Sequence, residues 1–313
     1  MRRDTTILPE GIHLGITPTC WTNDDFPLIG NDIPMEQCLS EIALAGFAGC
    51  SIGHNFTTDV DALTAAMHLR GLSVSEPWVS TYFTVPDGAE RTARDLLKVL
   101  EFLKDFNAGD PPVKTTTIGV AEFGHSIHLQ SLSLRSNRPE FTDEQWADLC
   151  KGLNKIGEIV ASQGFTLAYH PHMGTGVQTE EDADRLMRDT DSRHVSLLLD
   201  TGHLTWAGAD VRGIVERHRE RIAHVHLKNI RSSVRADRTL AAGSFREYVE
   251  AGIFTVPGDV EGDVDFDALL KNLRPGESYR GWLVVEAEQD PRGGQPPLYH
   301  AQTAHSYLSE ALA

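Results

Sequence analysis

A chain of 313 residues with a net charge of −17, His counted neutral, repels phosphate backbones and anionic lipid, which argues against nucleic-acid and membrane partners but leaves a small neutral substrate open. Its 40% hydrophobic and 23% charged residues are the balance of a soluble globular protein, long enough to bury a core without staples. Cys20, Cys38, Cys50 and Cys150 form no CxxC pair and read as reduced thiols of a cytoplasmic protein. Arg2 and Arg3 are followed by no apolar run, against a secretory or twin-arginine signal. Every apolar run falls far short of the ~20 residues that a membrane helix needs.

Residues 12–17 (IHLGIT) read as a first strand running into Pro18 and a polar loop. Over 35–45, Met35, Leu39, Ile42 and Ala43 share one helical face, and Gly46 follows as a C-cap. A short second strand lies at 49–52, a helix at 59–70, and a third strand at 73–76 stopped by Pro77. A long helix at 88–107 precedes the fourth strand, 116–121. The helix at 143–163 ends at Gly164, before the fifth strand at 166–169. The helix at 179–189 opens on Thr179 with Asp182 three positions on, close to a capping box. The apolar runs LLL and IAHV, ahead of Asp200 and His226, are the sixth and seventh strands, with a helix at 211–221 between them. A long insert at 232–263 carries a helix at 244–251; a helix at 265–273, an eighth strand at 282–285 and a closing helix at 297–312 follow. Eight strands alternating with helices, without a compositional break, predict a single α/β domain over 1–313, a (β/α)₈ TIM barrel. A doubly wound sheet is the runner-up, but GxGxxG and GxxxxGK[ST] are both absent.

Ligand-type residues gather where the strands end. Glu122 and His125 follow the fourth strand, His170 and His172 the fifth, Asp200 and His203 the sixth, His226 and Lys228 the seventh, and Glu286 and Glu288 the eighth. Parallel α/β folds bind ligands at these carboxyl ends. Taken singly, each residue has a plainer role. Asp200 before Thr-Gly reads as a turn or cap residue, and His203 as a cap of the next segment. Strand alternation puts His224 and His226 on one face, where at least one would be a satisfied core histidine. Taken together, four consecutive strands ending in imidazole and carboxylate groups, with no thiolate, point to Mn²⁺, Co²⁺, Fe²⁺ or Zn²⁺ rather than a structural zinc.

LLLDTGHLTWAG, HVHLKNIR and GWLVVEAEQDP resemble segments of the xylose-isomerase-like barrel superfamily of sugar isomerases and epimerases. ITPTCWTNDDFP, CLSEIALAGFAG, YHPHMGTGVQTEEDADRLM and FTVPGDV are similar to its inosose dehydratase family, so the resemblance runs over about 12–291. It implies one divalent metal, Mn²⁺ or Co²⁺ foremost and Fe²⁺, Zn²⁺ or Mg²⁺ as further candidates. The superfamily's usual ligands are Glu, Asp, His and Glu. Asp200, His226 and Glu286 match the last three, and His170 stands at the first, as in the inosose dehydratase pattern. A neutral ligand in place of an anionic one leaves the metal a stronger Lewis acid. Ser51 stands near where many relatives end the second strand in Glu. The implied reaction is loss of water from a cyclic polyol ketone such as 2-keto-myo-inositol, through a metal-stabilised enolate. His203 or Glu288 would move protons; His172 and Gln178 would bind ring hydroxyls; Lys228 would polarise an oxygen or pair with Asp200; Trp21 would wall the ring face. A sugar epimerase or isomerase, a lyase acting on 3-keto-glycosides, and a non-catalytic sugar-binding barrel are the alternatives. Homo-oligomers are common among such barrels, but no interface signature stands in the sequence.

Overall fold

Strands and helices largely alternate in the computed structural model, which describes residues 7–313, so Arg2 and Arg3 lie outside the described residues. The first half runs β1 (Ile12–Ile16), α1 (Met35–Ala45), β2 (Gly49–Cys50), α2 (Val60–His68), β3 (Ser73–Val74), β4 (Trp78–Thr81), α3 (Gly88–Ala108), β5 (Thr117–Glu122) and α4 (Asp143–Ser162). The second runs β6 (Thr166–Tyr169), α5 (Glu180–Asp189), β7 (Val195–Asp200), α6 (Thr201–Ala207), α7 (Val211–His218) and β8 (Ile222–Leu227). It closes with β9 (Asn229–Ile230), α8 (Ser232–Arg235), α9 (Phe245–Glu250), β10 (Phe254–Thr255), α10 (Phe266–Leu273), β11 (Gly281–Val285) and α11 (Pro297–Ala311).

Nine segments form one parallel sheet in the order β3-β2-β1-β11-β8-β7-β6-β5-β4. Its two edges, β3 and β4, are consecutive in the chain and separated only by Ser75, Glu76 and Pro77. Proline cannot donate to a ladder, so regular pairing stops there. The Pro77 carbonyl still accepts from the Gly119 N–H at 3.0 Å, and the Thr115 hydroxyl donates to the Val74 carbonyl at 2.6 Å. The two edges are therefore halves of one stave, and the sheet closes as an eight-staved barrel. The expected third strand, stopped by Pro77, resumes at Trp78; α6, directly after Asp200, was also not anticipated.

Helices cover the barrel through apolar stripes at helical spacing. On α3 the stripe is Leu96, Leu100, Leu103 and Phe106; on α4 it is Leu149, Leu153, Ile156 and Val160. On α1, Leu39 and Ile42 are buried as expected, and Gly46 caps the helix with φ 104° and its N–H on the Ala43 carbonyl. The Thr179–Asp182 capping box forms in full. The insert returns over the barrel mouth. Its β10 pairs antiparallel with β9, and Phe245, Tyr248, Val249, Ile253 and Phe254 pack on Phe26, Ile127 and Met173 from loops at the strand ends. All four cysteines are free and buried. No described helix is long and apolar enough to cross a membrane.

Candidate active site

β6, β7, β8 and β11 are neighbours in the sheet, so their carboxyl ends deliver His170, Asp200, His226 and Glu286 to one spot. One donor atom from each lies within 4.8 Å of the others. His170 Nε2 is 3.3 Å from Asp200 Oδ2, and His226 Nδ1 is 2.6 Å from Glu286 Oε2 and 3.9 Å from Asp200 Oδ2. Asp200 fills both roles that its position allows. Its Oδ1 caps α6 by accepting the His203 N–H at 2.7 Å, and its Oδ2 faces the cluster. Two carboxylates this close, Asp200 wholly buried and Glu286 nearly so, are costly unless cations compensate them. Two imidazoles and two carboxylates, with no thiolate, are a donor set suited to a divalent cation of borderline hardness. Burial works against charge on His226, yet Glu286 and Glu76 outweigh it and push its pKa up to about 10.

Glu76 was passed over in the sequence. It stands in the break between β3 and β4, 2% exposed, with Oε1 3.2 Å from His226 Nε2 and Oε2 3.1 Å from His224 Nε2. Burial raises its pKa, but the two histidines override that and hold it down at about 2. The signal was available: a carboxylate ending the third strand just before proline obeys the same rule that picked out the later strands. Ser51, beside it on the second stave, lines the same cavity.

A second group, His172, His203 and Glu288, also brings donor atoms within 4.8 Å of one another. Lys228 joins two of its members. The Nζ, wholly buried, is 2.9 Å from Glu288 Oε1 and 2.9 Å from His203 Nε2, and 4.3 Å from the Phe254 ring centroid. Burial disfavours its charge, but Glu286, Glu288 and Asp200 more than restore it. Of the expected proton carriers, Glu288 lines the cavity and the fully buried His203 does not. Burial pushes Glu288 up to about 8 in spite of Lys228, and its Oε2 is buried with no hydrogen-bond partner. Both His203 nitrogens face donors, Lys228 Nζ and the Met173 N–H at 3.3 Å, and a neutral ring accepts at only one. The shorter contact, with Lys228, makes Nε2 the acceptor. His172 contacts the Met173 carbonyl through Nδ1 at 2.7 Å, which leaves Nε2 as an acceptor; burial, then His128, His170 and Lys228, keep the ring neutral.

The cavity in front of these groups holds about 560 Å³ and is also lined by Asn23, Asp25, Trp78, Phe123 and His128. That volume suits a small ring substrate. Three residues expected at the substrate lie away from this cavity. Trp21 is wholly buried, its indole N–H donates to Glu41 Oε2 at 2.7 Å, and the exposed aromatic at the cavity is Trp78. Gln178 does not reach the cavity; its Oε1 accepts the Gly174 N–H at 2.8 Å and braces the loop carrying His172. Lys228 does not line it either and bonds Glu288, with Asp200 Oδ2 farther off at 3.9 Å. Glu122 is taken up by the Thr81 and Thr84 hydroxyls and the N–H groups of Phe83, Thr84 and Gly124, a purely local role.

Among known proteins, the chain matches the xylose isomerase-like TIM barrel family over residues 39–310. It is 44% identical over 300 residues to an inosose dehydratase of Geobacillus thermodenitrificans, covering 96% of this chain and 97% of that one. It is 40% identical over 305 residues to an inosose dehydratase of Clostridium tetani, covering 97% and 98%. Among solved structures, the IOLI protein with a bound zinc atom shares the fold at a TM-score of 0.69 and 14% identity, covering 96% of this chain and 98% of that one.

Proposed function

The chain belongs to the xylose isomerase-like TIM barrel family and, within it, to the inosose dehydratases, and on that premise we propose that it removes water from a cyclic polyol ketone such as 2-keto-myo-inositol, with one divalent cation held by His170, Asp200, His226 and Glu286. The observation that carries the reading is that three members of this donor cluster, His170, His226 and Glu286, line the same cavity as Glu288, a buried carboxyl group beside Lys228. Mn²⁺ and Co²⁺ are the ions we favour, on the mixed N and O donors. A cytoplasmic setting belongs to the same reading, supported by the free, buried cysteines.

A divalent cation on those residues would draw electron density from the ketone oxygen and so acidify the neighbouring C–H. Glu288, which lines the cavity, is the proton carrier. As carboxylate it takes the proton α to the ketone. As the carboxylic acid so formed it gives that proton to the β-hydroxyl, which leaves as water while the C=C bond forms. A pKa near the working pH lets one group do both. Lys228 holds Glu288 by Oε1 and His203 holds Lys228, so both act as positioning residues. His172 Nε2 accepts a ring hydroxyl, and Trp78 lies along the ring.

The test is an assay of metal-stripped protein, reloaded with Mn²⁺ or Co²⁺, on 2-keto-myo-inositol, keto-sugars and 3-keto-glycosides in deuterated water, read by mass spectrometry. The expected result is loss of one water from the inosose, only with metal. Deuterium exchange without water loss would replace the dehydratase with an epimerase or a lyase acting on another leaving group. No exchange on any substrate would favour a binding protein.

A further inference from the structure

His226 lies between two carboxylates, and only the one on its Nδ1 side belongs to the cation site proposed above. Nδ1 is 2.6 Å from Glu286 Oε2, while Nε2, on the other edge of the ring, is 3.2 Å from Glu76 Oε1. A ring nitrogen must be free of its proton to bind a metal, and a neutral imidazole carries one proton. For Nδ1 to be free, the proton must sit on Nε2 and needs an acceptor there. Glu76 Oε1, at 3.2 Å, stands where that acceptor is needed. We propose that Glu76 is a positioning residue that accepts the Nε2–H of His226 and thereby turns the Nδ1 lone pair toward Asp200 and Glu286. The inference rests on the cation site proposed above.

The fold explains why a carboxylate stands at this position. His224 and His226 alternate onto the same face of β8, and Glu76 faces both. Its Oε2 is 3.1 Å from His224 Nε2, a close contact not aligned as a hydrogen bond, and neither His224 nitrogen has a hydrogen-bond partner among the described residues. The break in the third stave presents the Glu76 side chain, and Pro77 fixes the backbone behind it. Carboxylates that take the second N–H of a ligating histidine orient the ring and raise its basicity. The competing use of the same atoms is a second cation held by Glu76, His224 and His226, whose donor atoms also lie within 4.8 Å of one another. The two uses exclude each other, because a protonated Nε2 on His226 cannot ligate.

The experiment is a chelator-competition titration of Co²⁺ on the full chain, with metal counted per chain, for wild type, Glu76→Gln and Glu76→Met. Glutamine keeps an acceptor oxygen for His226; methionine keeps the volume and removes the acceptor. The expected result is one Co²⁺ per chain, near-native affinity for Glu76→Gln, and affinity lowered about 10- to 100-fold for Glu76→Met. Equal affinity in all three, or equal loss in both variants, would overturn the role of Glu76 while leaving the cation site intact. Two Co²⁺ per wild-type chain would assign Glu76 to a second cation. No binding by wild type would overturn the cation site itself, and this proposal with it. If Glu76→Met does not fold, ¹⁵N NMR of the wild-type histidines with Zn²⁺ bound decides: a proton on Nε2 of His226 is expected, and a proton-free Nε2 overturns the proposal.

Discussion

Glu288, at the cavity wall, meets the buried Lys228 at 2.9 Å, and what the site does depends on which of them keeps the proton. Lys228 is ringed by Asp200, Glu286 and Glu288, so it stays charged, and Glu288 keeps one oxygen, Oε2, without a hydrogen-bond partner. Replacing Glu288→Gln preserves the shape and an acceptor for Lys228 but removes the carboxyl proton. Turnover should fall about 10²- to 10⁴-fold with metal content unchanged, measured by kcat alongside metal analysis. Turnover within a few-fold of wild type would take proton transfer away from Glu288. At this scale the sequence was informative where residue type and strand position coincide, as for His170, Asp200, His226 and Glu286. It was silent where the outcome depends on which of several similar groups is captured by a neighbour. Trp21 looked like a ring wall, but Glu41 from α1 takes its N–H, while Trp78, after a proline, faces the cavity. Gln178 is captured four residues away, by the Gly174 N–H.

Elements whose apolar run ends abruptly in polar residues were legible. β7 and β8 are nearly continuous buried runs, as parallel strands covered on both faces must be, and their polar ends mark the mouth of the barrel. The third stave was half hidden, because proline divides it into segments too short to show a period. α6 was hidden for a different reason: TGHLTWA has no stripe of its own, and the Asp200 cap starts it. The capping box on α5 was legible because it is local, with Thr179 and Asp182 each bonding the other's backbone. Thr179→Ala should lower stability by about 0.5–2 kcal/mol in urea denaturation with an unchanged m-value. No loss of stability would mean that tertiary packing alone fixes the start of α5. The fold of the insert, by contrast, depends on Phe245 and Phe254 meeting Phe26 and Ile127 from distant loops, which no local pattern records.

Over the whole molecule, the charge of −17 is not spread evenly in its consequences: buried carboxylates crowd the barrel mouth and depend on histidines, on Lys228 and, in our reading, on a cation. The metal-free protein should register this in its pH dependence. His226 is raised from 6.5 to about 10 and Glu288 from 4.5 to about 8. Between pH 7 and 9 the folded chain therefore holds protons that the unfolded chain has released, and stability falls as pH rises. The His226 contribution is whole below pH 6.5 and is lost through about 10; that of Glu288 is whole below 4.5 and is lost through about 8. Glu76, held down at about 2, and His172, His203 and His224, lowered by burial, act in the opposite sense, Glu76 only under acid conditions and the histidines mainly near and below pH 6.5. The urea midpoint of metal-free protein should drop steadily from pH 7 to 9; a flat or rising midpoint would show that neither group holds the proton assigned to it.

The central claim is that four strand ends build one cation site. The most direct measurement is anomalous diffraction at the cobalt edge from crystals grown with Co²⁺. One strong peak enclosed by His170, Asp200, His226 and Glu286 is expected. A peak among Glu76, His224 and His226, a peak in the place of the Lys228 ammonium, or no peak inside the barrel would contradict it.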